Sequence, residues 1–492
     1  MKITLIEPKS PGVHVYSRYK LPRLGLPLLG ALVQRELGIR PTIYVQEISG
    51  LDWDDILSSD LVGISTITPT ANEAYSILDR IKRTSRVPVV MGGPHVTFLP
   101  EEALEKGADF VVRGEGEMAF LELVRALVEG RDDFHQVKGL SFKDGGKVVH
   151  NPPQPPLHNL DELPWPDLTL IKDFHKIRIL PIMTSRGCPY NCKFCSVTKM
   201  FGRRYRFRDT EDVLQELEKL HSMNPKATIF FYDDNFTAHV KRTKALLQGI
   251  IDRGIRIRWT AQARVEIYRD EELLDLMEKS GCLFLYLGLE SINPRTLESY
   301  RKEQTVQDIA EAVKALHRHG IRVHGMFVLG SDDDDLRTIR ETVRFARSMK
   351  LDTVQFLVLT PLPGTETFDE LMREGRIFIT DWSKYSGHHV VFQPKLMTPY
   401  ELQKEGAVKS MHRFYSLWQC WKLGLLFRWK DMAIYTYAHH TISRWKARNK
   451  EFLRALKEAS EKLRERVQAR DPQDKPSGPR MTGESSPGES RS

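Results

Sequence analysis

Three of the five cysteines, Cys188, Cys192 and Cys195, fall within eight residues of the stretch TSRGCPYNCKFCSV, Thr184 to Val197. Gly187 and Pro189 flank the first and let the segment turn. A structural zinc site takes four ligands, usually as two separated pairs. Only His175, thirteen residues upstream of Cys188, offers a fourth donor for a three-cysteine, one-histidine site. Closely spaced thiolates in a turning loop suit an iron-sulfur cluster better. Three ligands on a four-iron cluster leave one iron open, and an open metal position is where substrate chemistry takes place. Cys282, in an apolar run, and Cys420, on an aromatic helical face, read as core residues, which leaves too few thiols for a second cluster.

At 492 residues, 41% of them apolar, the chain is long enough for about three domains. The cysteines form no even-numbered framework and MKITLIEPKS has no hydrophobic signal region, so a reducing cytoplasm is expected. The longest apolar runs are about ten residues, against the ~18 to 20 that cross a bilayer. Of the net charge of +8, residues 401 to 470 carry 16 Lys+Arg against 7 Asp+Glu, a surplus of nine. Basicity confined to one late segment argues against a nucleic-acid partner.

From residue 1 to about 128, short β-branched runs (KITLIE, PTIYVQ, DLVGIS, VPVVMGG, ADFVVRGEGE) alternate with helical patterns, which predicts a parallel sheet covered on both faces. Ligands bind such sheets where the strands end. Those ends carry Ser65, Thr66 and Thr68; Gly92, Gly93, Pro94 and His95; and Gly114, Glu115, Gly116 and Glu117. They outline a nucleotide- or cofactor-sized crevice, although each glycine could equally serve only a turn. A hairpin, GLSFKDGGKVVHN, follows, and six prolines between 152 and 166 then mark an extended linker and a domain boundary.

A second alternation begins at 179. Six strands (RILPIMT, TIFFYD, IRIRWTAQ, LFLYLGLE, VHGMFVLG, TVQFLVLTP) separated by helices predict a partial β/α barrel with its chemistry at the C-terminal strand ends. Those ends carry the cysteine loop, Asp233-Asp234-Asn235, Gln262 and Arg264, Glu290-Ser291, Gly330-Ser331 and Thr360-Pro361. Asp233 or Asp234 could instead cap the helix that follows. Residues 400 to 468 read as helical and rich in Trp, Tyr and Arg, and 471 to 492 as a disordered tail.

The Cys-x3-Cys-x2-Cys spacing, with Phe194 before the last cysteine, resembles the signature of the radical S-adenosylmethionine superfamily. That resemblance implies a [4Fe-4S] cluster on Cys188, Cys192 and Cys195, whose open iron chelates S-adenosylmethionine and, on reduction, yields a 5'-deoxyadenosyl radical. By position it implies S-adenosylmethionine contacts at Asp233, Asp234, Asn235, Glu290, Ser291 and Gly330. An open α/β domain with GGPH and GEGE segments ahead of the loop is similar to the cobalamin-binding class of that superfamily. It implies cobalamin against Ser65, Thr66, Thr68, Gly92, Gly93, Pro94, His95, Gly114, Glu115, Gly116 and Glu117. The Asp-x-His-x-x-Gly motif that supplies a lower histidine ligand to cobalt is absent.

The expected organisation is a Rossmann-like or flavodoxin-like α/β domain over 1–150, a proline-rich linker over 151–170, a partial (β/α)6 TIM barrel over 171–395, a helical basic and aromatic region over 396–470 that closes the barrel or recruits substrate, and the tail over 471–492. The expected activity is cobalamin-dependent methylation of an unactivated carbon in a small-molecule substrate, with an external low-potential electron donor. The alternatives are radical cyclisation, coupling or rearrangement without methyl transfer, and a non-catalytic cobalamin or redox sensor. The helix over 411 to 430 could touch the inner membrane surface, and a lipid or isoprenoid substrate would then follow. His388-His389 point to opposite faces of an extended strand and cannot easily share one ion; one could line the substrate pocket.

Overall fold

The computed structural model describes residues 1–12 and 20–470, with side chains described to residue 465. The tail expected over 471 to 492 lies outside the described residues.

The first sheet has seven strands: β1 (Ile3–Glu7), β2 (Thr42–Val45), β3 (Leu61–Ser65), β4 (Val89–Gly92), β5 (Phe110–Val112), β6 (Leu140–Asp144) and β7 (Lys147–His150). Their order is β2-β1-β3-β4-β5-β6-β7. The first five are parallel, and the hairpin β6-β7 adds antiparallel to β5, Phe110 standing opposite Phe142. The order 2-1-3-4-5 is the flavodoxin-like one, with its switch point between β1 and β3, where the chain leaves toward opposite faces of the sheet. All five residues of β1 are buried. The helix Ala71–Thr84 presses Ala74, Ile77, Leu78 and Ile81 against one face, at the spacing that lays side chains along one helical stripe.

The second sheet contains β8 (Ile179–Ile182), β11 (Thr228–Phe231), β12 (Arg258–Ala263), β13 (Cys282–Glu290), β14 (Arg322–Leu329) and β15 (Thr353–Val358), all parallel and in chain order. A short ladder of β9 (Ser185–Arg186) and β10 (Arg206–Phe207) stands apart from it. The six barrel strands are those the sequence pattern predicts. Alternate residues point outward into a dry core (Ile229, Phe231, Trp259, Ala261, Leu285, Val323, Phe356). The residues between them, Phe230, Gln262, Phe284, Tyr286, Met326 and Gln355, are less fully covered and line the concave side.

The proline-rich segment is not a free linker. Leu168, Leu170 and Ile171 are buried in the core shared by both sheets, Leu160 is buried as well, the Asp167 amide donates to the Pro27 carbonyl at 3.2 Å, and Lys172 donates to Ile43 at 2.8 Å. Prolines exclude regular ladders there, and the apolar residues among them still have to leave water.

The C-terminal helices Leu417–Leu425, Trp429–Arg448 and Lys450–Arg470 agree with the helical expectation. Tyr415, buried, places its hydroxyl 2.8 Å from both N and O of Val354, the second residue of the edge strand β15. Asp431 pairs with Arg322 at the start of β14 at 2.5 Å. The region thus packs along the edge strand β15 and reaches the start of β14, while the helix Lys450–Arg470 lies against Tyr400 and Glu401, the Tyr400 amide donating to Ser460 at 3.1 Å.

Among the described residues four imidazoles are buried: His319 lies against the carboxylates of Glu271, Asp275 and Glu278, and three others sit in largely apolar surroundings. His95 is fully covered, has no hydrogen-bond partner at either ring nitrogen, and packs edge-on against Trp382 at 5.1 Å. His389 lies between Trp445 and Phe452 and bonds Asn449 at 3.0 Å, and His324 bonds Thr353 at 2.8 Å. The placing of His389 settles it as a packing residue. Burial holds each of the three down to about 4. The unfolded chain takes up these protons near pH 6.5, so stability is full above that value and falls as pH drops toward 4, on the order of 3 kcal/mol per histidine. Urea midpoints measured between pH 7 and 4.5 are expected to drop steeply, with a smaller slope in His389→Phe; a flat profile would contradict the neutral assignment.

Candidate active site

The thiol loop grows out of β8 through Thr184 and is pinched at its base by the β9-β10 ladder, in which Arg186 stands opposite Arg206. Gly187 sits at φ +85°, and a Cβ there would lie 2.7 Å from the Arg204 carbonyl, so only glycine lets the two arms of the loop meet. Cys188, Cys192 and Cys195 are half-buried, and the Cys195 amide donates to the Cys192 carbonyl at 3.1 Å. The loop is gripped from the barrel side. Lys193 N donates to the Tyr300 carbonyl, the Phe194 ring meets Tyr300 edge-on at 4.9 Å, and the Arg264 guanidinium lies 3.7 Å over the Tyr190 ring.

The geometry bears on which metal these thiols suit. Among the described residues only Asp275, Glu278 and His319 bring three ligand atoms within 4.8 Å of one another. The three sulfurs do not, whereas a single zinc with Zn–S of about 2.3 Å would hold its sulfurs about 3.8 Å apart. His175 is exposed in the turn Phe174–Lys176 ahead of β8, at the opposite end of that strand from the loop. Cys282 and Cys420 are buried elsewhere. A three-thiolate set spread more widely than one ion allows fits a cluster with one iron free of protein. Burial raises all three thiols, Cys195 to about 12, so forming thiolates there needs positive charge close by. Arg264 and Lys302 supply part of it.

Around the loop, Glu290 ends β13 at φ +57°, where the register with β14 slips, and its carboxylate takes the Lys302 ammonium at 2.8 Å with both side chains buried. Ser291 is buried and accepts from the Asn293 amide at 3.0 Å; Asn235 is buried and accepts from the Thr237 hydroxyl at 3.2 Å. The two aspartates of the predicted acidic motif part company. Asp233 is wholly buried and spends its oxygens on the Thr184 amide and hydroxyl and the Ser185 hydroxyl, which anchors the start of the thiol loop. Asp234 instead opens into the cavity described next, its carboxyl pushed up to about 7 by the scarcity of bulk water and by Asp233 beside it. Neither aspartate is a helix cap; His239 caps the helix Val240–Asp252. Gly330 shapes a turn: its amide donates to Asp334 at 3.1 Å, and a Cβ there would strike Leu402 at 2.5 Å.

Between the two sheets lies a cavity of about 310 Å³. Ser65, Gly92, Gly93, Pro94, Gly114, Glu115, Gly116 and Glu117 line it from the first sheet, with Leu5, Leu24 and Met91; Met183, Ser185, Arg186, Tyr232 and Asp234 line it from the barrel. Gly93 (φ +98°) approaches Thr66 so closely that a Cβ would sit 2.5 Å from its carbonyl oxygen. Arg23, paired to Glu7 at 3.3 Å, borders the cavity with one guanidinium nitrogen buried and unpartnered. A glycine floor, apolar walls and an unsatisfied buried donor fit a large, flat, mostly apolar cofactor with polar substituents. Thr66, Thr68 and His95 do not line this cavity. Thr66 and Thr68 are buried behind the strand ends, and His95 faces Trp382, because the helix begun by Pro94 turns its second residue back into the domain.

Glu115 and Glu117 have a role that their glycine-rich context concealed. Arg206 chelates Glu115 with both terminal nitrogens, and Arg186 bridges Glu115 at 3.3 Å and Glu117 at 2.5 Å; all four side chains are at most 8% exposed. Lys302, Arg186, Arg206 and Arg23 were not distinguishable in the sequence, since nothing local separates a buried arginine from a solvated one.

Two outcomes follow. Cys188→Ala, Cys192→Ala and Cys195→Ala should each lose most of the iron, about four atoms per intact cluster, in anaerobically reconstituted protein, while Cys282→Ala and Cys420→Ala keep it; zinc in place of iron would overturn the assignment. Arg206→Met leaves Glu115 short of its partner and should cost about 3 to 5 kcal/mol, read as a lower urea midpoint and faster proteolysis between 187 and 205, with Lys199→Met as the exposed control; wild-type behaviour would refute the latch.

Comparison with known proteins agrees with this geometry. The family model described as the radical SAM superfamily matches residues 182–377, and the B12 binding domain matches residues 17–124. An uncharacterized methyltransferase of Pyrococcus horikoshii is 37% identical over 396 residues, covering 78% of this chain and 85% of that one. The anaerobic magnesium-protoporphyrin IX monomethyl ester cyclase of Rubrivivax gelatinosus is 32% identical, over 73% of this chain and 66% of its own length. The solved radical S-adenosylmethionine methyltransferase TsrM of Kitasatospora setae, with tryptophan and a cofactor analogue bound, superposes with a TM-score of 0.64 at 23% identity over 76% of each chain, a likeness of fold. A [4Fe-4S] cluster, S-adenosylmethionine and cobalamin are the cofactors that go with these domains. The chain belongs to the radical S-adenosylmethionine superfamily, in the class that places a B12-binding domain ahead of the barrel.

Proposed function

We propose that this enzyme methylates an unactivated carbon of a small apolar substrate. When bound, the cluster with S-adenosylmethionine supplies hydrogen abstraction and the corrinoid supplies the methyl group. The observation that carries the reading is that the two cofactor sites share walls: Ser185, Arg186 and Asp234 border the cavity and stand at the root of the thiol loop or beside it. A radical formed near the loop would therefore have a methyl source within the same enclosure, shielded from water by Leu5, Met91 and Met183.

In this reading Cys188, Cys192 and Cys195 hold the cluster. Asp234, Glu290 and Ser291 flank the nucleotide, with Asp234 the carboxylate free to meet the methionine amino group and Glu290 held in place by its ion pair with Lys302. Asp233 and Gly330 position the loop and the adjoining turn. The glycines at 92, 93, 114 and 116 receive the corrin. Phe230, Phe284 and Tyr286, whose rings follow one another at 5.7 to 5.9 Å along the concave side, favour an apolar substrate such as a lipid or isoprenoid. The basic C-terminal helices are read as a peripheral contact with the inner membrane surface. Among the described residues no helix is long and apolar enough to cross a bilayer.

Each methyl transferred consumes two S-adenosylmethionine molecules and two electrons from an external low-potential donor. One molecule ends as 5'-deoxyadenosine and methionine, the other as S-adenosylhomocysteine. Incubation with methyl-labelled S-adenosylmethionine and a reductant should move label into product and form the two nucleosides in equal amounts. Likeness to the cyclase supports a second reading, ring closure without methyl transfer; 5'-deoxyadenosine with no labelled product would favour it. Absence of 5'-deoxyadenosine from iron-replete protein would favour a non-catalytic sensor.

A further inference from the structure

The helix Leu417–Leu425 and the turn after it present an apolar surface that the fold does not use. Trp418, Trp421, Leu425, Leu426, Phe427 and Trp429 are 56 to 79% exposed, Phe427 most of all, at the tip of the turn and at φ +54°. Only Cys420 and Leu423 of this helix face inward. The hairpin is firmly built. A Cβ at Gly424 would lie 3.0 Å from the Met432 sulfur, so the helix Trp429–Arg448 approaches closely, and Arg428 pairs with Asp431, which also takes Arg322 of β14. An exposed surface this large on a rigid support is expensive to keep in water unless something covers it.

The charges around the patch identify what covers it. From Ser416 to Lys430 there is no acidic residue, while Lys422, Arg428 and Lys430 supply three cations. Lys422 places its ammonium 5.6 Å over the Trp418 ring, at the rim of the patch. Indole rings with a polar N–H settle at the depth of lipid headgroups, Leu and Phe reach below it, and Lys and Arg meet anionic headgroups. The arrangement here has that layering: Leu425, Leu426 and Phe427 at the tip, Trp418, Trp421 and Trp429 behind, cations at the edge. Residues 471 to 492, DPQDKPSGPRMTGESSPGESRS, are too polar to serve as an internal cover.

We infer that the hairpin 417–430 inserts its tip into the surface of an anionic lipid bilayer. The inference rests on the peripheral-contact reading above and supplies the segment and the surface. Because Asp431 and Arg322 fix the hairpin at the N-terminal end of the barrel strands, docking holds the thiol loop away from the bilayer. Lipid binding and S-adenosylmethionine cleavage are then separable.

The experiment uses full-length reconstituted protein and flotation with vesicles of phosphatidylglycerol and phosphatidylcholine in equal parts, against phosphatidylcholine alone. Wild type should float with the anionic vesicles, bind them at least tenfold more tightly than neutral ones, and lose affinity in high salt. Trp421→Glu combined with Phe427→Glu should reduce binding at least tenfold while iron content and 5'-deoxyadenosine formation are unchanged, since neither side chain packs on the barrel. Retained flotation in that variant, no flotation of wild type, or a dimer that the variant abolishes would overturn the inference, the last by assigning the patch to a second copy of the chain. If methyl transfer fails while flotation holds, the fault lies with the proposed chemistry and not with the docking surface.

Discussion

Two arginines face each other across the ladder that closes the thiol loop, and the fold depends on what neutralises them. Arg186 and Arg206 are register partners in β9 and β10, a cross-strand like-charge pair that repels and would open a two-residue ladder. Glu115 and Glu117 arrive from the first sheet and pair with both. None of the four charges could be buried without the others, because each alone would carry the full desolvation cost. The hairpin is therefore stable only with the two sheets docked, C-terminal edge toward C-terminal edge. That single cluster fixes the loop, borders the cavity and sets the thiol loop beside it. Leu157, whose carbonyl also accepts from Arg206 at 2.6 Å, draws the proline-rich segment into the same contact.

The same economy of charge organises the thiol loop. Three thiols in a half-buried pocket resist ionisation, so the site is built to be completed by a cation. Arg264 and Lys302 stand near enough to favour thiolates, yet each is held by its own carboxylate, Glu266 or Glu290. Asp234 has no such ion pair among the described residues and opens into the cavity between the sheets. The left-handed backbone at Glu290 places a charged side chain where the strand would otherwise have turned it aside, the kind of local strain that a functional constraint maintains.

Much of this was legible before any coordinates. Strand periodicity of two, broken by helical stripes and glycine turns, is a local property, so all six barrel strands and the five parallel strands of the first domain could be placed. The metal-ligand spacing of Cys188, Cys192 and Cys195 is local as well. Residues whose surroundings depend on distant partners carry no such local signal. Asp233 and Asp234 are adjacent and alike in sequence, but one meets Thr184 across the sheet and the other a cavity. His95 follows a glycine-proline turn that resembles a ligand loop, but its side chain belongs to a core completed by Trp382, almost three hundred residues later. The acidic residues of the GEGE segment line the cavity as expected, but their pairing with Arg186 and Arg206, some seventy to ninety residues downstream, has no local signal.

What the sequence by itself determined is therefore the fold class, the order of elements and the three-thiol donor set, all consequences of short-range pattern and of the few chemistries that three neighbouring cysteines allow. What only the tertiary structure decided is which polar groups are spent on one another and which remain available. Buried charges have no local signature: pairing in a low-dielectric interior is set by approach in space, and only the docked sheets bring Glu115 to Arg206, hide Asp233 and leave Asp234 open.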